Sequence, residues 1–494
     1  MASLTQRSAH AALWNYAGNT ARLLLQFTIG VILARLLGPQ AFGLVAIAML
    51  LIGLGQLFVD FGFNSAIIQS REIARGDVDF VFTMQIAIGA AMTGLVLVAA
   101  GPIAGFFGEP AAAPVVGAMA WMFVLRAIGQ TAAALLGREL RFKALQLGAI
   151  ISYLVGYAAI GLPMAFYGYG VWSLVAAQLV QTGMSTVIAV FMVGGLHRFS
   201  LRGGRGDLFR FGGLVISANI SSWFLSNSDA LIVGHVNGAT PLGFYNRAQN
   251  LAGVPMGAVV GGMQGVLFAS ASRAQDNHEA LRSGLLACVG LFVLLSGSVL
   301  LAVAAASDTV ILALYGKQWE QTAALLTPLC VAMAINGILA FIGPVLMGIG
   351  RVDKEVKAQW LSVLMMVPAI YGVAHISLVA MAWTVVLVYF IRMCLLSYAL
   401  QSSVQFGWKE VAQAIIAPLI VAVAAAVSAR LADYSAGSLS VGWRLLFVIT
   451  AAGLGSAFAA FCLRGSLMRS ALGALILKSD VIPVPFCRWL TPRG

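Results

Sequence analysis

Residues 41–68 read AFGLVAIAMLLIGLGQLFVDFGFNSAII, a run of 28 in which Asp60 is the single ionisable side chain. About 20 apolar residues are enough to cross a bilayer as a helix. A helix suits hydrocarbon because it satisfies its own backbone hydrogen bonds. Thirteen other stretches have the same character: residues 12–33, 79–100, 114–136, 147–166, 171–195, 211–234, 241–268, 283–306, 321–349, 359–376, 380–400, 413–430 and 443–463. The 494 residues are 61% hydrophobic and 9% charged, where a soluble domain carries about 25% charged residues. The expected fold is all-α, a polytopic membrane protein of 14 transmembrane helices.

The basic residues set an expected orientation. Alternate gaps hold Arg7; Arg71 and Arg75; Arg138, Arg141 and Lys143; Arg198, Arg202, Arg205 and Arg210; Arg273 and Arg282; Arg351, Lys354 and Lys357; Lys409; and Arg464, Arg469, Lys478, Arg488 and Arg493. These are 21 of the 29 Lys and Arg residues. The intervening gaps and helix ends hold Arg35, Arg247, Lys317, Arg430 and Arg444. Cytoplasmic loops are the Lys/Arg-rich ones, so both termini are expected in the cytoplasm. An odd helix count would break the alternation.

The net charge of +12 is spread through loops that face an anionic leaflet, and no nucleic-acid role is expected. Cys288, Cys330, Cys394, Cys462 and Cys487 have no paired spacing. The first four lie in apolar runs and are expected as small buried hydrophobes, with no metal site or disulfide framework. No nucleotide-binding loop with Gly-Lys-Ser/Thr appears, and no cofactor is expected. The first run carries Asn15, Asn19, Arg22 and Gln26, unlike the purely apolar core of a signal peptide. It is expected to remain as the first span. The longest outward gaps, near 101–113 and 307–320, leave no room for a soluble catalytic module.

Gly38-Pro39-Gln40-Ala41-Phe42-Gly43 and Gly238-Ala239-Thr240-Pro241-Leu242-Gly243 fall 200 residues apart, and the same offset pairs Asn19 with Asn219. Both turns sit at equivalent points of two six-helix halves. An even count per half gives both halves one orientation, related by a pseudo-twofold axis along the membrane normal. The expected plan is two pseudo-symmetric six-helix lobes, residues 1–200 and 201–400, around a central cavity. Two additional helices lie within 401–463, and a cytoplasmic tail spans 464–494. The gap 196–210 with Gly203-Gly204-Arg205-Gly206 is the natural hinge. The tail, with Phe486 and Trp489 among basic residues, has the composition of a membrane-surface segment or a frayed end.

Ionisable groups inside spans are costly and tend to face a bundle interior or a water-filled path. Asn15, Asn19, Arg22 and Gln26 share one helical face, as do Gln56, Asp60 and Asn64. Asn219, Ser222, Ser226 and Asp229 form a matching face in the second half, with Asn246, Arg247 and Asn250 nearby. Arg126 precedes Gln130 by one turn, and Arg392 stands in the twelfth run. The intramembrane cations Arg22, Arg126, Arg247 and Arg392 outnumber the anions Asp60 and Asp229. Arginine suits phosphate because its planar fork donates in pairs and keeps its proton. The expected substrate-binding residues are therefore Arg22, Arg126, Arg247, Arg392, Asn19, Gln26, Asn64, Asn219 and Asn250. Asp60 and Asp229 are expected as ion-coupling groups or counter-ions. The alternative for the charges is mutual neutralisation, Arg22 with Asp60 and Arg247 with Asp229. The alternative for the amides is interhelical hydrogen bonding.

Ala34-Arg35-Leu36-Leu37-Gly38-Pro39-Gln40-Ala41-Phe42-Gly43, followed by Asp60-Phe61-Gly62-Phe63-Asn64-Ser65-Ala66-Ile67-Ile68-Gln69, resembles the opening helices of Wzx-type polysaccharide flippases. These form the polysaccharide-transporter branch of the multidrug/oligosaccharidyl-lipid/polysaccharide (MOP) exporter superfamily. Arg138-Glu139-Leu140-Arg141-Phe142-Lys143-Ala144-Leu145 resembles that family's loop after helix 4. The resemblance implies V-shaped lobes around a cationic cavity and transport of undecaprenyl-diphosphate-linked oligosaccharides to the periplasmic leaflet. That transport feeds exopolysaccharide, capsule or O-antigen assembly. It implies a lipid-linked oligosaccharide as cargo and a polysaccharide polymerase and co-polymerase as protein partners. The rivals are a peptidoglycan-precursor flippase, a multidrug antiporter of the same superfamily, and, in another class, a polysaccharide polymerase. An antiporter would favour acidic cavity residues and twelve spans. A polymerase would present a large outward catalytic loop, so no enzyme is expected.

Overall fold

The protein is described from a computed structural model covering residues 4–64, 67, 74–195, 198–200, 206–273, 277–404 and 407–470. The side chains of 4–17, 206–215, 217, 218, 266, 268, 269, 273, 403 and 408 lie outside that description. The described residues contain helices and turns and no strand.

A helical segment stands at each of the fourteen apolar runs. They are α1 (Leu4–Leu36), α2 (Pro39–Asp60), α3 (Arg75–Phe106), α4 (Ala112–Arg138), α5 (Phe142–Phe166), α6 (Val171–Val193), α7 (Gly206–Asn237) and α8 (Ala239–Arg273). They continue as α9 (His278–Ala305), α10 (Glu320–Gly348), α11 (Val352–Val373), α12 (Leu378–Val404), α13 (Trp408–Ser435) and α14 (Val441–Cys462). Among the described residues, twelve helices are long and apolar enough to cross a membrane, and α1 and α7 are outside that set. Those two carry the polar faces read from the sequence.

The second run is shorter than its hydropathy suggests. Pro39 occupies the first turn of α2, where its missing N–H costs nothing. At the other end Phe61 and Gly62 adopt φ of 42° and 72°, which stops the helix at Asp60. Asn64 therefore lies beyond a left-handed break, and the expected common face of Gln56, Asp60 and Asn64 does not extend to it. Two other helices are locally rewound, with π-helical turns at Leu154–Gly161 in α5 and Val293–Gly297 in α9.

The chain folds as two compact units, Met1–Gly243 and Phe244–Gly494. In the first, Ile29, Leu33 and Leu37 of the α1 end pack on Tyr153, Ala165 and Leu174. The two repeated turns also meet here. A Cβ placed on Gly43 would overlap the Ala239 carbonyl, and one on Gly243 would overlap the Pro39 carbonyl. The contact is reciprocal at the 200-residue offset, as a twofold relation requires, and only glycine allows backbones this close. Residues 198–200 are tied to α3, since Arg198 N donates to Asp79 Oδ1 (3.1 Å) and Ser200 N to Thr83 Oγ1 (2.9 Å). The rest of the expected hinge, residues 196, 197 and 201–205, lies outside the described residues.

In the second unit, α13 packs through Ala425, Ala429 and Ala432 onto Ala302 and Ala306, with Val448 of α14 joining them. Small residues let helices approach closely where lipid removes the usual hydrophobic drive. Buried Asp433 holds this corner, accepting from Thr309 Oγ1 (2.5 Å) and Arg444 Nε (2.8 Å). Cys288 and Cys330 are buried as expected, whereas Cys394 and Cys462 are exposed. Lipid is as apolar as a core, so a thiol inside a span gains little by turning inward. Cys487 and the tail from 471 onward lie outside the described residues.

Candidate substrate-binding cavity

The expected polar residues separate into three environments. In the first unit, Arg22 Nη2 donates to Asn19 Oδ1 at 3.1 Å, the pairing that their i, i+3 spacing on α1 permits. Gln26 and Asn219 are half-buried on their helices. Asp60 accepts backbone N–H bonds from Gly62 and Asn64, while its Oδ1 is buried with no hydrogen-bond partner among the described residues. No Arg22–Asp60 ion pair is found among the described residues. Asp229 is 2% exposed, and its Oδ1 accepts from Ala230 N at 2.8 Å.

Arg126 occupies a different setting. It opens into a cavity of about 230 Å³ between α4 and α6, lined also by Gln130, Gln178, Gln181, Thr182, Ser185 and Thr186. No carboxylate is found among the described residues that line this cavity. Among the described residues, no hydrogen-bond or ion-pair partner of the Arg126 side chain is found. A guanidinium taken out of water normally finds a counter-charge or several acceptors, because desolvation is otherwise uncompensated. Behind the cavity, Thr131 Oγ1 donates to Gln85 Oε1 (2.7 Å), and Gln85 Nε2 reaches Asn64 Oδ1 (3.4 Å) and Gln130 Oε1 (3.5 Å). Asn64 thus joins the Gln130 end of the Arg126 cavity through fully buried Gln85.

In the second unit, Asn250 Nδ2 folds back onto Asn246 O (2.7 Å) and Oδ1 (2.8 Å). Arg247 hydrogen-bonds Tyr315 and places its guanidinium carbon 5.7 Å from that ring's centre. Burial pushes the Tyr315 hydroxyl above its ordinary range, and Arg247 opposes the shift. Arg392 is closed off. Its Nη2 lies 2.7 Å from Glu355 Oε1, and the two side chains are 7% and 6% exposed. Glu355 also accepts from Gln359 Nε2 at 3.1 Å.

Glu355, Gln85 and the α6 face were not singled out in the sequence. Glu355 lies in Asp353-Lys354-Glu355-Val356-Lys357, which reads as a charged loop but forms the first turns of α11. Gln178, Gln181 and Ser185 are spaced 3 and 4 apart, the helical signature that singled out α1. Among the described residues no three His, Cys, Asp or Glu side chains gather as a metal site.

An all-helical membrane chain with a repeat-related crossing and an internal polar cavity is the architecture of a secondary transporter. Its fold matches solved transporters. The lipid II flippase MurJ in an inward closed conformation superposes with a TM-score of 0.76 at 14% identity, over 91% of this chain and 99% of that one. An inward-facing MATE multidrug resistance transporter of the MOP superfamily gives 0.61 at 16% identity, over 78% and 94%. At sequence level, residues 32–324 match the model of the polysaccharide biosynthesis protein family, and the chain belongs to that family. Curated relatives include the lipopolysaccharide biosynthesis protein WzxC of Escherichia coli, 24% identical over 74% of this chain and 75% of that protein. The succinoglycan biosynthesis transport protein ExoT of Rhizobium meliloti is 27% identical over 68% of each. The teichuronic acid biosynthesis protein TuaB of Bacillus subtilis is 25% identical over 76% and 78%.

Proposed function

We propose that this protein is a flippase carrying undecaprenyl-diphosphate-linked oligosaccharide repeat units from the cytoplasmic to the periplasmic leaflet of a bacterial inner membrane. It supplies exopolysaccharide, capsule or O-antigen assembly, acts beside a polysaccharide polymerase and co-polymerase, and keeps both termini in the cytoplasm. The observation that carries this is Arg126, a cation with no protein partner among the described residues, in a cavity of amides and hydroxyls.

A diphosphate cannot cross hydrocarbon without replacing its hydration. Arg126 supplies a charge-assisted donor pair, which is shorter and stronger than a neutral hydrogen bond. Arg22 with Asn19 on α1, and Arg247 on α8, extend the same chemistry, and Gln26, Asn219 and Asn250 offer hydrogen bonds to sugar hydroxyls. Arg392 contributes through the Glu355 pair, by fixing α11 against α12. The repeats 1–200 and 201–400 alternate as lobes, with the pair of helices in 401–463 appended. Asp60, whose buried Oδ1 has no partner among the described residues, is suited to couple this motion to an ion gradient, and Asp229 is the second candidate.

The test is deletion of the gene followed by leaflet-resolved analysis of prenyl-diphosphate lipids. Completed repeat units held on the cytoplasmic leaflet, with surface polysaccharide lost, support the proposal. Unpolymerised units reaching the periplasmic leaflet overturn it in favour of a polymerase.

A further inference from the structure

Two glutamines line the Arg126 cavity with their side-chain orientations fixed from behind. Tyr157 OH donates to Gln178 Oε1 at 2.5 Å, so the Gln178 carbonyl is occupied and its NH2 remains for the cavity. Gln130 is biased in the same sense by a longer contact, with Gln85 Nε2 3.5 Å from its Oε1. Thr131 takes the Gln85 carbonyl, which turns the Gln85 amide NH2 toward Gln130 Oε1. Gln85 and Thr131 are both 0% exposed.

The backbone around Tyr157 is built for this contact. Tyr157 rides on the π-helical turn Leu154–Gly161 and stacks on Tyr153 at 4.6 Å. A π-turn re-aims the side chains it carries and is often found at functional sites. Gly156 brings the turn so close to α6 that an added Cβ would lie 2.5 Å from the Ala177 carbonyl, one residue before Gln178. A change from α to π winding, a glycine contact and a short hydrogen bond thus converge on one amide.

We propose that Tyr157 and Gln85 are positioning residues that set the hydrogen-bond polarity of the Arg126 cavity. They make it a site for an oxyanion of the cargo, a lipid phosphate or a sugar carboxylate, in preference to a neutral sugar ring. This rests on the cavity being part of the cargo path. A neutral sugar needs donors and acceptors together, whereas an oxyanion needs donors alone. Gln181, Thr182, Ser185 and Thr186 add groups that can accept, so the preference comes from a guanidinium flanked by two amide NH2 groups with no carboxylate among the described lining residues.

The test uses the full chain in lipid nanodiscs, with undecaprenyl diphosphate and free glucuronate as anionic probes and undecaprenol and free glucose as the neutral ones. Gln178→Glu keeps an acceptor for Tyr157 but replaces the NH2 by a carboxylate oxygen. It is expected to raise Kd for an anionic probe at least about tenfold, the scale of one hydrogen bond to a charged group. Tyr157→Phe frees the amide to turn and is expected to raise it about threefold, with undecaprenol binding unchanged. The ratio of anionic to neutral affinity is the readout, because a merely structural role moves thermal stability and leaves that ratio alone. A shift for undecaprenyl diphosphate identifies the phosphate as the bound group, and a shift for glucuronate identifies a sugar carboxylate. An unchanged ratio in both variants, with Arg126→Gln still weakening the anions, overturns the positioning role alone. An unchanged ratio in Arg126→Gln overturns the transport site itself.

Discussion

Arg126 and Arg392 have the same chemistry and both stand inside spanning helices, yet the protein treats them in opposite ways. Arg392 is sealed against Glu355 at 2.7 Å, with both side chains nearly inaccessible. Arg126 faces a cavity with no carboxylate among its described lining residues. The first has its counter-charge, although Arg392 Nε and Glu355 Oε2 stay buried without a hydrogen bond among the described residues, and loss of the pair leaves an orphan charge in low dielectric. The second finds no partner among the described residues, and under the proposed function a ligand completes it. A buried arginine is therefore not in itself a mark of function. What decides is whether the fold supplies its partner.

The sharpest way to break this contrast is to remove one half of the sealed pair. Glu355→Ala leaves Arg392 buried and uncompensated, a loss of about 3–5 kcal/mol. The expected result is a strongly lowered melting temperature and membrane abundance. Glu355→Gln with Arg392→Gln removes both charges, and this double variant is expected to recover most of that loss. If the single variant is as stable as the wild type, the pair is not structural.

Arg126→Gln is expected to do the reverse. It lowers cargo flipping about ten- to hundredfold, matching about 1.5–3 kcal/mol for hydrogen bonds to a charged group, at unchanged melting temperature. A smaller change is expected from Asp60→Asn. If Asp60 binds and releases an ion between states, flipping in proteoliposomes loses its response to an imposed gradient, and flipping without a gradient continues. A gradient response equal to wild type would leave Asp60 as a helix-end group only. The mildest variant is Asn19→Ala, which removes the 3.1 Å bond to Arg22. Intramembrane hydrogen bonds of this kind average about 0.6 kcal/mol, so flipping is expected to fall less than threefold.

The sequence made the helices legible because lipid imposes one strong rule, about twenty apolar residues per crossing. Each of the fourteen runs carries a helical segment. The turn motifs at Gly38–Gly43 and Gly238–Gly243 also held meaning, since these are the residues whose backbones meet. Hydropathy did not reveal the break after Asp60, because Phe61 is apolar and its φ of 42° is a conformational fact. Nor did periodicity separate Arg126 from Arg392. Glu355 sits 37 residues before Arg392 in a stretch of loop-like composition, and only packing brings them together. The Gln85–Gln130 and Tyr157–Gln178 contacts escaped for the same reason, as each joins helices through neutral residues that carry no charge signal.

The most direct measurement is single-turnover flipping of a prenyl-diphosphate oligosaccharide by the Arg126→Gln protein, alongside its melting temperature. Flipping lost at least tenfold with wild-type stability would establish Arg126 as the residue that the cargo completes. Wild-type flipping, or a loss matched by unfolding, would contradict it and make Arg126 another structural cation like Arg392.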